Sequence, residues 1–192
     1  MWTTFNAWQW DLNWANPDVF IQMLGVMLEL SAVGIDVLRL DAIPFLWKRL
    51  GTNCQNLPEV HLLLQALRGL MANAAPATII KGEAIVAHHD PVAYQGAGAR
   101  LTTECDLLYH NQLMVQGWSS LAAQDGRLAA ISLGAMSRTP AHASWVTYVR
   151  CHDDIGWAVD DGAAAARGWD GPSHRRFLSS FYAGELDYSY GR

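Results

Sequence analysis

Short apolar runs that end in charged tips, separated by amphipathic stretches of helical length, constrain this chain more than any other feature. Ile35-Asp36-Val37-Leu38-Arg39-Leu40 ends at Asp41, and Ala77 to Ile80 leads to Glu83. Ser144 to Arg150 leads into Cys151-His152-Asp153-Asp154, and a weaker run, Glu104 to Tyr109, stands between the last two. Strands buried on both faces of a parallel sheet are apolar along their length and polar only at the tip. Strand and helix alternating without hairpin signals means parallel pairing through crossovers. From Ile35 to Trp145 the strand starts are covered in three steps of about 37 residues, the scale of βαβ units. The fold class read from this pattern is α/β.

The connecting helices carry their own signals. Asn16-Pro17 places a capping Asn before a first-turn Pro and predicts a helix over 17–32, ended by Gly34. Residues 57–74 form a second helix, with Leu62, Leu63, Ala66, Leu67 and Leu70 at helical spacing and Pro76 closing it. Further helices are predicted over 111–123 and 172–183, while glycine-rich 162–171 and Gly96–Gly98 read as loops.

Charge and cysteine usage exclude several function classes. The net charge of −5 leaves no basic footprint for nucleic acid or an anionic membrane surface. Cys54, Cys105 and Cys151 are odd in number and widely spaced, so neither a disulfide framework nor a metal centre is indicated. His88-His89 reads as loop surface. The start of the chain lacks a signal-peptide pattern, which favours the cytoplasm, and no apolar stretch of about 18 residues could span a membrane. Nine Trp residues speak first for core, and they also suit a pocket for sugar rings.

The strand tips carry the chemistry. Catalytic groups of parallel α/β folds gather at the C-terminal ends of strands, so Asp41, Glu83 and Asp153 are expected around one cleft. A single tip carboxylate is ordinary as a helix cap; three on three strands, with Arg39 two residues before the first, point to glycosidic chemistry, in which two carboxyls flank the scissile bond. Arg39 and Asp41 alternate on a strand and face the same way, and a guanidinium favours the ionised form a nucleophile needs. Glu83 would act as acid and then base with a raised pKa. Asp153 and His152 would bind sugar hydroxyls and steady an oxocarbenium-like transition state.

At these residues the sequence resembles glycoside hydrolase family 13, the α-amylase superfamily. The blocks that carry the resemblance are Gly34-Ile-Asp-Val-Leu-Arg39-Leu-Asp41-Ala, Lys81-Gly-Glu83-Ala-Ile85 and Arg150-Cys-His152-Asp153-Asp154. Gln9-Trp-Asp-Leu-Asn13, Phe45-Leu-Trp-Lys, Tyr109-His-Asn-Gln-Leu-Met and His152-Asp-Asp-Ile-Gly-Trp157 narrow it to the amylosucrases and related sucrose hydrolases. The resemblance implies Asp41 as nucleophile, Glu83 as general acid/base, Asp153 as transition-state stabiliser, and Arg39 and His152 as donor-site partners. It also implies Phe5 near the donor ring, and Ile85 and Asp154 beside the leaving fructose or the acceptor.

The same resemblance implies a partial (β/α)8 TIM barrel, roughly strands four to seven with their helices. The whole chain, 1–192, would then be a fragment of the catalytic barrel domain, without the N-terminal barrel part, the last strand and the C-terminal β domain. The function it implies is retaining α-glucosyl transfer from sucrose to α-glucan acceptors with release of fructose, needing no cofactor. A sucrose hydrolase, another α-glucoside hydrolase of the superfamily, or an inactive barrel fragment are the alternatives. Self-association through exposed barrel edges is a further expectation.

Overall fold

The computed structural model describes residues 1–85, 91–96, 103–153 and 155–189. The expected pattern of strands holds in outline: β1 (Val37–Leu40), β2 (Ile79–Gly82), β3 (Leu107–Tyr109) and β4 (Ser144–Val146) form one sheet in the order β1-β2-β3-β4, with β4 ending four residues short of Arg150. β1 pairs parallel with β2, and β2 parallel with β3.

The chain divides into two compact units. The first contains residues 1–85, 91–96, 103–109 and 139–145, and so the sheet up to Trp145. Its helices are α1 (Pro17–Ala32) and α2 (Pro58–Ala74). Asn16 accepts from the Asp18 amide at 3.0 Å with Pro17 in the first turn, the start that the Asn-Pro pair predicts. The core joins Met27 of α1, Leu64, Leu67 and Met71 of α2, and Leu38, Ile80 and Leu108 of the sheet.

On α2 the buried stripe is Val60, Leu64, Leu67 and Met71, whereas Leu62 and Leu70 are exposed. The helix is apolar on more than one face, so periodicity alone does not say which stripe meets the sheet. Polar groups are also held in this unit: Glu104 accepts from Gln65 at 2.8 Å and meets His61 Nδ1 at 2.8 Å, and Asp106 accepts from Arg68 and from the Ile80 amide, both at 2.8 Å. These bonds tie α2 to the start of β3.

The second unit contains residues 110–138, 146–153 and 155–189. It is built on α3 (Asn111–Ala123), α4 (Arg127–Gly134), α5 (Asp161–Ala166) and α6 (Gly171–Tyr182). Val115, Leu128, Ala164, Leu178 and Phe181 are its centre. Asp160 and Asp170 cap α5 and α6 through the amides of Ala163 and Ser173. The reading of 162–171 as a loop is corrected by α5: Asp160 starts the helix and four successive alanines carry it past Gly162. His88-His89 and most of Gly96–Gly98 lie outside the described residues. Among the described residues no helix is long and apolar enough to cross a membrane.

Candidate active site

Strand register delivers the first two carboxylates. Arg39 pairs with Lys81 and Leu40 with Gly82, so Asp41 and Glu83 follow the ends of two adjacent parallel strands. The Glu83 amide donates to the Leu40 carbonyl at 2.9 Å, and the Ile43 amide to the Glu83 carbonyl at 3.2 Å. Ala42 takes φ 44°, a left-handed conformation that non-glycine residues seldom adopt, and its N–H donates to Glu83 Oε2 at 3.1 Å. Close packing explains Gly82: a Cβ there would lie 2.7 Å from both Cys105 Sγ and Ile43 Cδ1.

One guanidinium joins the pair. Arg39 donates from Nη1 to Asp41 Oδ1 at 2.6 Å and from Nη2 to Glu83 Oε1 at 2.5 Å. The Asp41 side chain is 67% exposed and that of Glu83 only 9%, so one carboxyl is open to solvent and the other is enclosed. Burial pushes the Glu83 pKa up, aided by a hydrogen bond to Asp41 and by its charge; the Ala42 N–H and Arg39 pull the other way without prevailing. Burial opposes the charge of Arg39, but hydrogen bonds to Asp41 and Tyr109 raise its pKa above the usual value. The Tyr109 ring also stands 5.9 Å from the Arg39 guanidinium carbon and 4.8 Å from the Lys81 ammonium.

A retaining pair holds its carboxyls about 5–5.5 Å apart. Here one guanidinium bonds both carboxyls, Asp41 at 2.6 Å and Glu83 at 2.5 Å, which keeps them neighbours at the two strand ends. The arrangement still separates the two by environment, an enclosed carboxyl inclined to hold a proton beside an exposed one on a fixed cation. That is the division of labour acid/base and nucleophilic chemistry needs.

A cavity of about 360 Å³ opens beside this group, lined by Phe5, Gln9, Trp10, Arg39, Asp41 and Phe45 among others. Phe5 therefore lies in the wall of the space next to Asp41, its ring edge-on to Phe45 at 5.4 Å. Ile85, just beyond β2, is 42% exposed and does not line that cavity. His152 and Asp153 belong to the second unit, where His152 Nε2 meets Asp153 Oδ1 at 3.3 Å and both are exposed. Asp154 lies outside the described residues.

Cys151, His152 and Asp153 bring one donor atom each within 4.8 Å of one another, the one such group among the described residues. The three are consecutive and two of them exposed, as a solvated loop presents them; β4 ends at Val146, so they lie beyond the strand rather than at its tip as the sequence pattern predicts. Gln9, Trp10, Asp11, Lys48 and Tyr109 enter or flank the site without having been assigned roles from the sequence. Each sits in a quoted motif, but a motif names neighbours without showing which side chains turn inward.

No family model matches the chain. It is 36% identical over 158 residues to a glucosylglycerate phosphorylase of Escherichia coli K12, covering 81% of this chain and 27% of that protein. A trehalose synthase/amylase of Mycolicibacterium smegmatis is 34% identical over 154 residues, covering 80% of this chain and 26% of that protein. The crystal structure of sucrose 6F-phosphate phosphorylase from Thermoanaerobacter thermosaccharolyticum superposes with a TM-score of 0.63 at 24% identity, over 86% of this chain and 33% of that one. At that identity the match establishes the fold: the chain has the α/β architecture of part of a barrel enzyme. The chain spans about a quarter of the length of these curated relatives. Its homologues are glycosyl-processing enzymes of the α-amylase superfamily, a likeness that does not reach to the amylosucrase subfamily.

Proposed function

We propose that the protein acts on α-glucosides by a retaining double displacement, with Asp41 as nucleophile and Glu83 as general acid and then base. The observation that carries this reading is the Arg39 fork, which holds an exposed and an enclosed carboxyl together at two adjacent strand ends. In the first step Asp41 attacks the anomeric carbon and Glu83 protonates the departing oxygen. In the second an acceptor hydroxyl attacks the glucosyl-enzyme while Glu83 takes its proton. Asp153 and His152 would steady the transition state, and Asp154 and Ile85 would border the acceptor.

For the donor we propose sucrose, with an α-glucan as acceptor, on the strength of the Gln9–Asn13 and His152–Trp157 motifs. A second reading, transfer to phosphate, is favoured by the glucosylglycerate phosphorylase relatives. Both share the first half-reaction and differ in what attacks the glucosyl-enzyme. A second copy of the chain is the proposed partner at the open edge of β1, where Ile35 and Val37 are exposed.

The test is incubation of the chain with sucrose, with and without phosphate and a glucan, beside Asp41→Asn and Glu83→Gln. Fructose release lost in both variants supports the site. Glucan growth then selects the transferase, glucose 1-phosphate the phosphorylase, and free glucose equal to fructose the hydrolase. Fructose release that survives Asp41→Asn contradicts the assignment, and no turnover of any α-glucoside leaves the inactive fragment as the function of this chain.

A further inference from the structure

The wall of the cavity opposite Arg39 and Asp41 is a segment with little packing of its own. Trp8 is 79% exposed, Trp10 70% and Phe5 55%, although Phe5 and Trp10 both line the cavity. Burial therefore contributes little to holding residues 2–11 in place. Polar closure supplies the rest. The Asp11 amide donates to the Trp2 carbonyl at 3.0 Å, so the segment returns on itself as a strap.

The closure centres on a single oxygen. Asp11 Oδ2 accepts from the Thr4 amide at 3.0 Å and the Thr4 hydroxyl at 2.6 Å, and pairs with Lys48 Nζ at 3.0 Å. Lys48 Nζ also donates to Thr4 Oγ1 at 2.5 Å. The Lys48 side chain is only 9% exposed and that of Asp11 17%, so the ion pair is shielded from water and stronger than a surface one. Lys48 follows the 3₁₀ turn Ile43–Phe45 that begins just past Asp41. The strap is thus anchored to the same stretch of chain that presents the nucleophile.

We infer that Lys48 and Asp11 are positioning residues, a latch that holds Phe5, Gln9 and Trp10 as one wall of the sugar-binding cavity without touching the sugar. This rests on the α-glucoside reading for the identity of the ligand, but not for the existence of the latch. Rings held at a fixed depth can meet the apolar face of a pyranose, and a loosened strap would meet it only part of the time.

The test uses the full 192-residue chain with Lys48→Met, Lys48→Arg and Asp11→Asn. Hydrogen exchange of the segment 2–14 and of α2 is followed in each, together with tryptophan-fluorescence titration with sucrose and maltose. In Lys48→Met the strap should exchange at least about tenfold faster with α2 unchanged, as loss of a charged hydrogen bond requires. Sugar affinity should fall about fivefold or more, and Lys48→Arg should restore both. Unchanged strap exchange overturns the latch, as does faster exchange spread equally over α2. A loosened strap with unaltered sugar affinity overturns the positioning role. Absence of sugar binding in every variant and in the parent sinks the α-glucoside reading instead, and the exchange rates alone then decide the latch.

Discussion

In the first unit Glu83 and Glu104 are buried; in the second the buried polar side chains are Gln112, Gln116, Ser119, Ser132 and His174. The second unit thus encloses amides, hydroxyls and an imidazole whose pKa burial lowers, so that it stays neutral, with Ser119 Oγ against His174 Nε2 at 2.8 Å. The first encloses Thr78 and Gln95 as well, but among the described residues it alone buries carboxyls. Burying a charge costs several kcal/mol unless partners meet it, and a well-packed apolar substitute is often as stable. Glu104 has its partners in His61 and Gln65, and its bonds have a structural purpose in joining α2 to β3. Glu83 is raised in pKa despite Arg39, and stability offers no reason for that arrangement. Its strained neighbour Ala42 and the glycine forced at 82 point the same way: local stability has been given up to set a carboxyl at a strand tip.

The comparison breaks most visibly through function. Asp41→Asn should lower α-glucoside turnover on the order of 10³-fold or more, whereas Ser119→Ala in the second unit should leave it within about threefold. Steady-state assays with sucrose and with an activated glucosyl donor check both. Packing gives the next largest effects. Phe181→Ala should cost about 3–5 kcal/mol and Leu64→Ala about 2–5 kcal/mol. Each should raise hydrogen exchange chiefly in its own unit, and exchange raised equally in both would erase the distinction between them.

Gly82→Ala should destabilise by about 1–3 kcal/mol, because its methyl would press on Cys105 and Ile43. Thermal unfolding measures it, and a neutral result would mean that the strand tips can shift apart. Smallest are the pH effects, and their signs differ. The folded pKa of Glu83 is raised, so its contribution to stability is present below the unfolded value of 4.5 and is lost as pH rises through the folded one. Glu83→Gln should flatten that part of a urea-unfolding profile. For Asp11 burial acts upward, but bonds from Thr4 and Lys48 outweigh it and lower the pKa. Its contribution is present above the unfolded value of 3.8 and is lost as pH falls through the lowered one, which Asp11→Asn should abolish.

Much of the first unit was legible in the sequence because its signals are local. Asn16-Pro17 sets the start of α1, and the apolar run ending in Arg39-Leu40-Asp41 sets β1 and the face that Arg39 and Asp41 share. What the pattern could not convey depends on contacts distant in sequence. The buried stripe of α2 is chosen by the sheet beneath it, and the closure of Thr4, Asp11 and Lys48 joins residues that only the fold brings together. α4 and α5 were missed for a different reason: they are short, and α5 begins at an Asp-Gly pair that looks like a turn until Asp160 caps it.

The central claim is that Asp41 is the nucleophile and Glu83 its acid/base partner. Glu83→Gln incubated with an α-glucosyl fluoride, which needs no acid to leave, tests it most directly. Digestion and mass spectrometry should find a glucosyl group on the peptide that contains Asp41, and azide should release it as α-glucosyl azide. Turnover of the fluoride with no label on Asp41, or with the label on another carboxylate, would contradict the account.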